Sequence, residues 1–220
     1  MTACSGRKVP ARGWVAASVC CCRWAPARGG RMTIRTFLAV PLPDPLQEQV
    51  AALQRELQGQ LPEVRWTPPA NVHLTLRFFG ATSADELEKI REVMLSIAFR
   101  AGAFSAAVRG LGVFPQRGAP RVLWLGVAAV QLSALHATCE TALRVVGLPG
   151  EARAFTPHLT IGRLHRRPSH LGEVLALWGE RPLAPLPVDR LVLYESRLLP
   201  GGARHLPILT APLGNGPEEL

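Results

Sequence analysis

From residue 33 onward the chain alternates between two hydrophobic periods. Residues 34–40, IRTFLAV, read as a strand, and Leu46, Val50, Leu53 and Leu57 then recur at helical spacing. Asp44 stands where a helix cap is expected. Pro45 then takes the first helical position, and Gln47 completes a capping-box pattern. VHLTLRFFG, 72–80, is the next strand. Ser83, with Glu86 three residues on, opens a second helix whose apolar stripe is Leu87, Ile90, Met94 and Ile97. Strands over about 104–114 and 122–127 flank the turn-rich PQRGAP. A third helix over about 132–146 stops at Gly147. FTPHLTIGRL supplies another strand, and a short helix from near Ser169 to Trp178 ends at Gly179. VDRLVLYESRL, a PGG turn and RHLPILTAPL close the chain as a hairpin.

This order divides near residue 115 into halves of similar content, each with one His-Leu-Thr strand. An internal duplication accounts for it most simply: a bilobal α+β domain over 32–220, its lobes facing each other and its last strands able to cross between them.

Composition adjusts this picture mainly at the N-terminus. A length of 220 residues, 48% of them hydrophobic, suffices for one domain with a real core. No apolar run approaches the ~18–20 residues that span a bilayer. The formal net charge is +9, but residues 1–31 hold six Arg and Lys and no acid, leaving +3 for the body. A mildly basic body suits a partner with one or a few phosphates rather than a long nucleic-acid track. Cys4, Cys20, Cys21 and Cys22 also fall in the first segment, without metal-site or disulfide-framework spacing, and only Cys139 lies in the body. Residues 1–31 show no helical or alternating period. They are expected to be an extension upstream of a start at Met32 or a disordered leader, with a secretory signal as the alternative.

Candidate chemistry lies in the repeated strand. With alternating faces, Val72, Leu74 and Leu76 point to a core and His73, Thr75 and Arg77 to the other side. In the second copy Pro157, Leu159 and Ile161 point inward, while His158 and Thr160 share the opposite face. One His-x-Thr in a strand says little, but two in matching places of two halves put both pairs on one cleft. Imidazoles with an ordinary pKa of about 6.5 can serve one as base and one as acid. Threonine hydroxyls can donate to the nonbridging oxygens of a phosphate. Two histidines without Cys, Asp or Glu at ligand spacing make no closed zinc site, so no metal is expected. The chemistry that fits is attack of activated water on a phosphodiester. His136, His165, His170 and His205 are taken as surface or core residues.

These blocks carry a family resemblance. RTFLAVPLP, NVHLTLRFFG, FPQRGAPRVLWLGV, FTPHLTIGRL and LVLYESRL, within about residues 32–213, resemble the 2H phosphoesterases. They are most similar to the bacterial and archaeal RNA 2′,3′-cyclic phosphodiesterases, historically called 2′-5′ RNA ligases. The resemblance implies antiparallel sheets lining a central cleft, helices outside, and metal-independent opening of a terminal 2′,3′-cyclic phosphate to a 2′-phosphate, with no cofactor. Weak reversible 2′-5′ ligation of transfer-RNA halves belongs to the same expectation. It maps catalysis onto His73 with Thr75 and His158 with Thr160, and a phosphate role onto Arg163. By alternation Arg163 falls on the Leu159 face, so a bend near Gly162 would have to redirect it. Phe37 and Phe155 are candidates to stack on a base. His73 is assigned as general acid and His158 as general base. The implied partners are RNA ends or nucleoside 2′,3′-cyclic phosphates, with no membrane, for a monomer in the cytoplasm. The alternative is an RNA-end binding protein without turnover.

Overall fold

A computed structural model of the protein describes residues 33–179, 181–200 and 202–214; the expectations for residues 1–31 lie outside that range. The elements run β1 (Ile34–Pro41), α1 (Asp44–Gln58), β2 (Val64–Trp66), a 3₁₀ turn (Pro69–Asn71), β3 (His73–Thr82) and α2 (Ala84–Arg100). Then come β4 (Phe104–Phe114), β5 (Val122–Ala128), α3 (Val130–Val145), β6 (His158–Leu164), α4 (Leu171–Trp178), β7 (Leu186–Val188), β8 (Arg190–Leu199) and β9 (Gly202–Pro212). The fold is α+β with antiparallel strands, as expected.

Local signals explain most of the boundaries. At α2 the Ser83 side chain accepts from the Glu86 amide and the Glu86 carboxylate accepts from the Ser83 amide, closing the capping box. The cap expected from Asp44 does not form. Pro43 is the N-cap, Asp44 is already helical, and the Gln47 amide donates to the Leu42 carbonyl instead. Asp44 still places a negative charge in the first turn, where it favours the helix dipole.

The strands lie in the order β7-β4-β5-β6-β3-β1-β8-β9, with β2 paired to β6. Two groups emerge, β6-β5-β4-β7 and β3-β1-β8-β9, and a single register pair, Leu74 with Leu159, joins them. The groups interleave the chain: β4, ahead of residue 115, pairs with β5 and β7, while β8 returns to β1. One face of both groups is packed into the core by Leu38, Val40, Leu74, Leu125, Leu159, Ile161 and Leu193, each at most 2% exposed. Burying a leucine or isoleucine side chain contributes about 1.5–3 kcal/mol. That sum locks the register, since a slip of one residue would turn the whole set outward.

Several register shifts interrupt the ladders, and two of them adjoin the repeated motif. On β3 the register with β1 shifts between Ala39–Thr75 and Leu38–Arg77, leaving Leu76 extra. On β6 the register with β5 shifts between Trp124–Thr160 and Leu123–Gly162, leaving Ile161 extra. Each bulge comes directly after a His-x-Thr sequence.

Candidate active site

The Leu74–Leu159 pair places the two motifs. Because the strands are antiparallel, position 73 on one strand faces toward 160 on the other, and 75 faces toward 158. His73, Thr75, His158 and Thr160 share the face opposite the buried leucines, and all four are partly exposed. The structure thus brings both pairs together around one point, each histidine beside the threonine of the other strand.

The bulges decide what comes next. Residues directly across a ladder share a face. Arg163 stands across from Val122 and Thr160 across from Trp124, so Arg163 emerges on the Thr160 side, exposed. This is the bend that Arg163 needed. Gly162 takes the core side, where a Cβ would stand 2.4 Å from Val64 Cγ1, so only glycine fits beneath β2. On β3 the same shift sends Arg77 into the core opposite Leu38 and turns Phe78 out opposite Phe37. Arg77 therefore leaves the His73 face expected from alternation and is 6% exposed. The positions three beyond each threonine are Phe78, 61% exposed, and Arg163. The first motif is thus followed by an exposed aromatic ring and the second by an exposed guanidinium.

Both imidazoles are oriented in the same way. His73 Nδ1 lies 2.8 Å from the Asn71 carbonyl and His158 Nδ1 lies 2.7 Å from the Thr156 carbonyl. A carbonyl oxygen only accepts, so each Nδ1 carries a proton and each Nε2 is free for chemistry. Asn71 is itself fixed, its side-chain amide donating to the Ala203 carbonyl of β9 at 3.0 Å. Burial takes His73 down to about 4; His205 pushes the same way, the Asn71 bond opposes, and His158 adds a smaller push down. His158 is lowered as well, by burial, against the Thr156 bond. The free site at neutral pH therefore holds two neutral imidazoles.

Aromatic packing backs each histidine. Phe37 stacks on His73 with ring centroids 4.6 Å apart and on Tyr194 at 5.2 Å. At 2% exposure Phe37 has no face left for a base, so its place is structural support of His73. Phe155 stacks on His136, centroids 4.0 Å apart and nearly coplanar, well occupied by that contact. Phe114 meets His158 edge-on at 5.0 Å, and Trp124 lies 6.3 Å from it. Two contributors escaped sequence reasoning. His205 of β9 approaches His73 edge-on at 5.2 Å, and only the β8–β9 register could have placed it there. Arg77 donates to the Glu140 carboxylate and to the Pro149 carbonyl, and Glu140 accepts from the Glu151 amide at 3.0 Å. This buried knot ties the segment following one motif to the loop that leads into the other. His170 contacts the Gln60 carbonyl.

Among the described residues no cluster of three or more His, Cys, Asp or Glu is placed to hold a metal ion. What the arrangement offers is proton exchange at two Nε2 atoms, two hydroxyl donors and one cation.

The chain as a whole is similar to known proteins in sequence and in fold. Residues 40–124 and 125–205 match the family described as LigT like Phosphoesterase. The chain is 32% identical over 174 residues to the RNA 2′,3′-cyclic phosphodiesterase of Methanothermobacter thermautotrophicus, covering 78% of this chain and 94% of that one. It is 30% identical over 170 residues to the enzyme of the same name from Archaeoglobus fulgidus, covering 77% and 94%. Among solved structures, TT0787 of Thermus thermophilus superposes with a TM-score of 0.71 at 25% identity, over 84% of this chain and 100% of that one. E. coli LigT complexed with 3′-AMP shares the fold, with a TM-score of 0.68 at 23% identity over 82% and 98%.

Proposed function

The chain belongs to the LigT like Phosphoesterase family, and from that premise we propose that it hydrolyses the terminal 2′,3′-cyclic phosphate of RNA to a 2′-phosphate. One observation carries this reading: two His-x-Thr pairs meet on one face around Leu74–Leu159, each imidazole presenting a free Nε2.

His158 Nε2 takes a proton from water as the water oxygen bonds to phosphorus. The bond from phosphorus to the 3′ oxygen breaks, and His73 Nε2–H delivers a proton to that oxygen. Thr75, Thr160 and Arg163 hold the nonbridging oxygens. A buried imidazole whose cation is disfavoured is the stronger acid once a bound anionic phosphate has helped it take up a proton, which suits His73. A 5′-hydroxyl replacing water in the same step would form a 2′-5′ linkage, which supports a weak ligase side reaction. The base of the terminal nucleotide rests on Phe78, the exposed ring on the His73 side. Both histidines come from one chain, so a monomer suffices. Cys139, a buried free thiol pushed up to about 12 chiefly by its burial, suits a reducing cytoplasm. No helix among the described residues is long and apolar enough to cross a membrane.

The test is incubation of a nucleoside 2′,3′-cyclic phosphate with the protein in EDTA, the product position being read by phosphorus NMR. Conversion to the 2′-phosphate is expected. A 3′-phosphate product, no conversion, or activity lost in EDTA and restored by a divalent metal would overturn the reading.

A further inference from the structure

β2 is three residues long, yet it brings a second arginine to the cleft. Arg65 stands directly across from Arg163 in the β2–β6 ladder. Residues so paired share a face, with Cβ atoms about 5 Å apart. Arg163 lies on the Thr160 side of β6, so Arg65 does too. Both are exposed. Like charges directly opposite in a sheet destabilise it, and among the described residues no carboxylate is within ion-pair distance of either one. The nearest acid along the chain, Glu63, lies instead against Arg166 at 3.5 Å. On its far side, Arg65 Nη2 comes within 3.7 Å of where a Cβ on Gly202, the first residue of β9, would stand. Ala203, the next residue of β9, accepts the bond from Asn71, whose carbonyl orients His73. The Arg65 guanidinium therefore sits between the Arg163 strand and the β9 segment that backs His73, open to solvent.

We propose that Arg65 holds the phosphate preceding the terminal nucleotide of an RNA strand, so that the cleft is built for an oligonucleotide end rather than a free nucleoside cyclic phosphate. The proposal rests on the function proposed above, in which Arg163 and the two threonines hold the terminal phosphate. A nucleoside cyclic phosphate has one phosphate and occupies that position alone. The next cation along the same face has an anion to meet only when a further nucleotide is joined on the 5′ side.

The experiment compares wild type, Arg65→Ala and Arg65→Lys on two substrates: adenosine 2′,3′-cyclic phosphate and a tetraadenylate ending in the same cyclic phosphate. Wild type is expected to favour the tetranucleotide, and Arg65→Ala to reduce that preference in kcat/KM about tenfold, through KM. Arg65→Lys should keep most of it. The salt dependence of KM for the tetranucleotide should flatten by about 0.7 in log–log slope, the value for one phosphate contact on a single strand. Binding of a tetraadenylate ending in 3′-phosphate, against adenosine 3′-phosphate, is measured by calorimetry as a readout free of turnover. Equal losses on long and short ligands, or no preference in wild type, would overturn the role of Arg65. A preference in binding that Arg65→Ala abolishes, without hydrolysis of either cyclic phosphate, would support the subsite and overturn the proposed reaction instead.

Discussion

Leu74 and Leu159 face each other where β3 and β6 meet, both fully buried, and their register sets the site. One residue to either side lies a histidine or a threonine on the open face. Two residues beyond each leucine lies a bulged residue, Leu76 or Ile161. After the bulge the strands present different chemistry at matching places, Phe78 on one and Arg163 on the other. A repeat that is symmetric in its acid–base pairs is thus asymmetric in its binding groups, as a nucleotide with one base and one reacting phosphate requires.

The bulge on β6 depends on Gly162. Gly162→Ala would set a methyl carbon 2.4 Å from Val64 Cγ1, and Val64, 6% exposed, has no open space to swing into. Overpacking of this kind costs about 1–3 kcal/mol. Thermal unfolding of Gly162→Ala should show a lower midpoint, and its KM should rise because β2 and the Arg163 segment are displaced together. An unchanged midpoint and KM would mean that β2 tolerates the methyl group.

Arg77 holds a buried carboxylate. Burial alone would raise the Glu140 pKa, but the Glu151 amide and Arg77 outweigh it and hold it below the ordinary value. Arg77→Met leaves Glu140 unpaired, at a cost of about 3–5 kcal/mol. Adding Glu140→Leu should restore a large part of that, because an apolar pair no longer carries a buried charge. Urea unfolding of the two single variants and the double variant checks this, and strictly additive losses would exclude the pairing.

How far the sequence could be read follows from where its periods persist. Alternation across His73–Thr75 and His158–Thr160 is undisturbed, so the shared face was legible. So was α2, whose Ser83–Glu86 signal is local. Alternation fails one residue later, because a bulge leaves no mark in the order of apolar and polar residues. That is why Arg77 read as outward, and why Arg163 read as inward unless bent. Asp44 misled for a related reason: Pro43 supplies the extended N-cap backbone and Gln47 bonds elsewhere. β2 and β7 are three residues long with prolines within or beside them, too short for any period. The approach of His205 to His73 depends on strand order across the sheet, which no local window contains.

Phe78 offers a test that separates base binding from chemistry. Stacking of a base on an aromatic ring is worth about 1–3 kcal/mol by alanine substitution. Phe78→Ala should raise KM for adenosine 2′,3′-cyclic phosphate about tenfold or more and leave kcat nearly unchanged. With glycerol 1,2-cyclic phosphate, which has no base, the variant and wild type should have similar KM. Equal effects on both substrates would show Phe78 to act by shaping the strand.

Two lowered imidazoles make the site sensitive to acid. With His73 at about 4 and His158 also below its ordinary 6.5, kcat/KM should be bell-shaped with an optimum on the acid side of 6.5. The profile belongs to the pair and does not say which histidine is the acid. Stability carries the same sign. His73 binds its proton less readily folded than unfolded, so its contribution is present above 6.5 and is lost as pH falls toward about 4. The full difference is on the order of 3 kcal/mol. Thermal midpoints between pH 7 and 4 should fall, and His73→Asn should flatten that fall; an equal slope in the variant would show that burial of His73 is not its cause.

Assignment of the acid and the base needs a substrate that removes one of the two demands. His73→Ala and His158→Ala should each lower kcat on a cyclic phosphate by about 10²-fold or more, since each removes a proton transfer. The double variant should be much less than multiplicatively worse, because the pair acts as a unit. Thr75→Ala and Thr160→Ala remove one neutral hydrogen bond each, so about 10-fold is expected, near 1.4 kcal/mol. A p-nitrophenyl phosphodiester then distinguishes the histidines. Its leaving group departs as a stable anion and needs no proton, whereas water still has to be activated. His73→Ala should therefore recover much of its rate on that substrate, and His158→Ala should not. Recovery by His158→Ala alone would reverse the two roles. Recovery by neither would mean that His73 serves mainly to bind phosphate, and the acid in the reaction would have to be sought elsewhere, with His205, edge-on to His73 at 5.2 Å, the first to substitute.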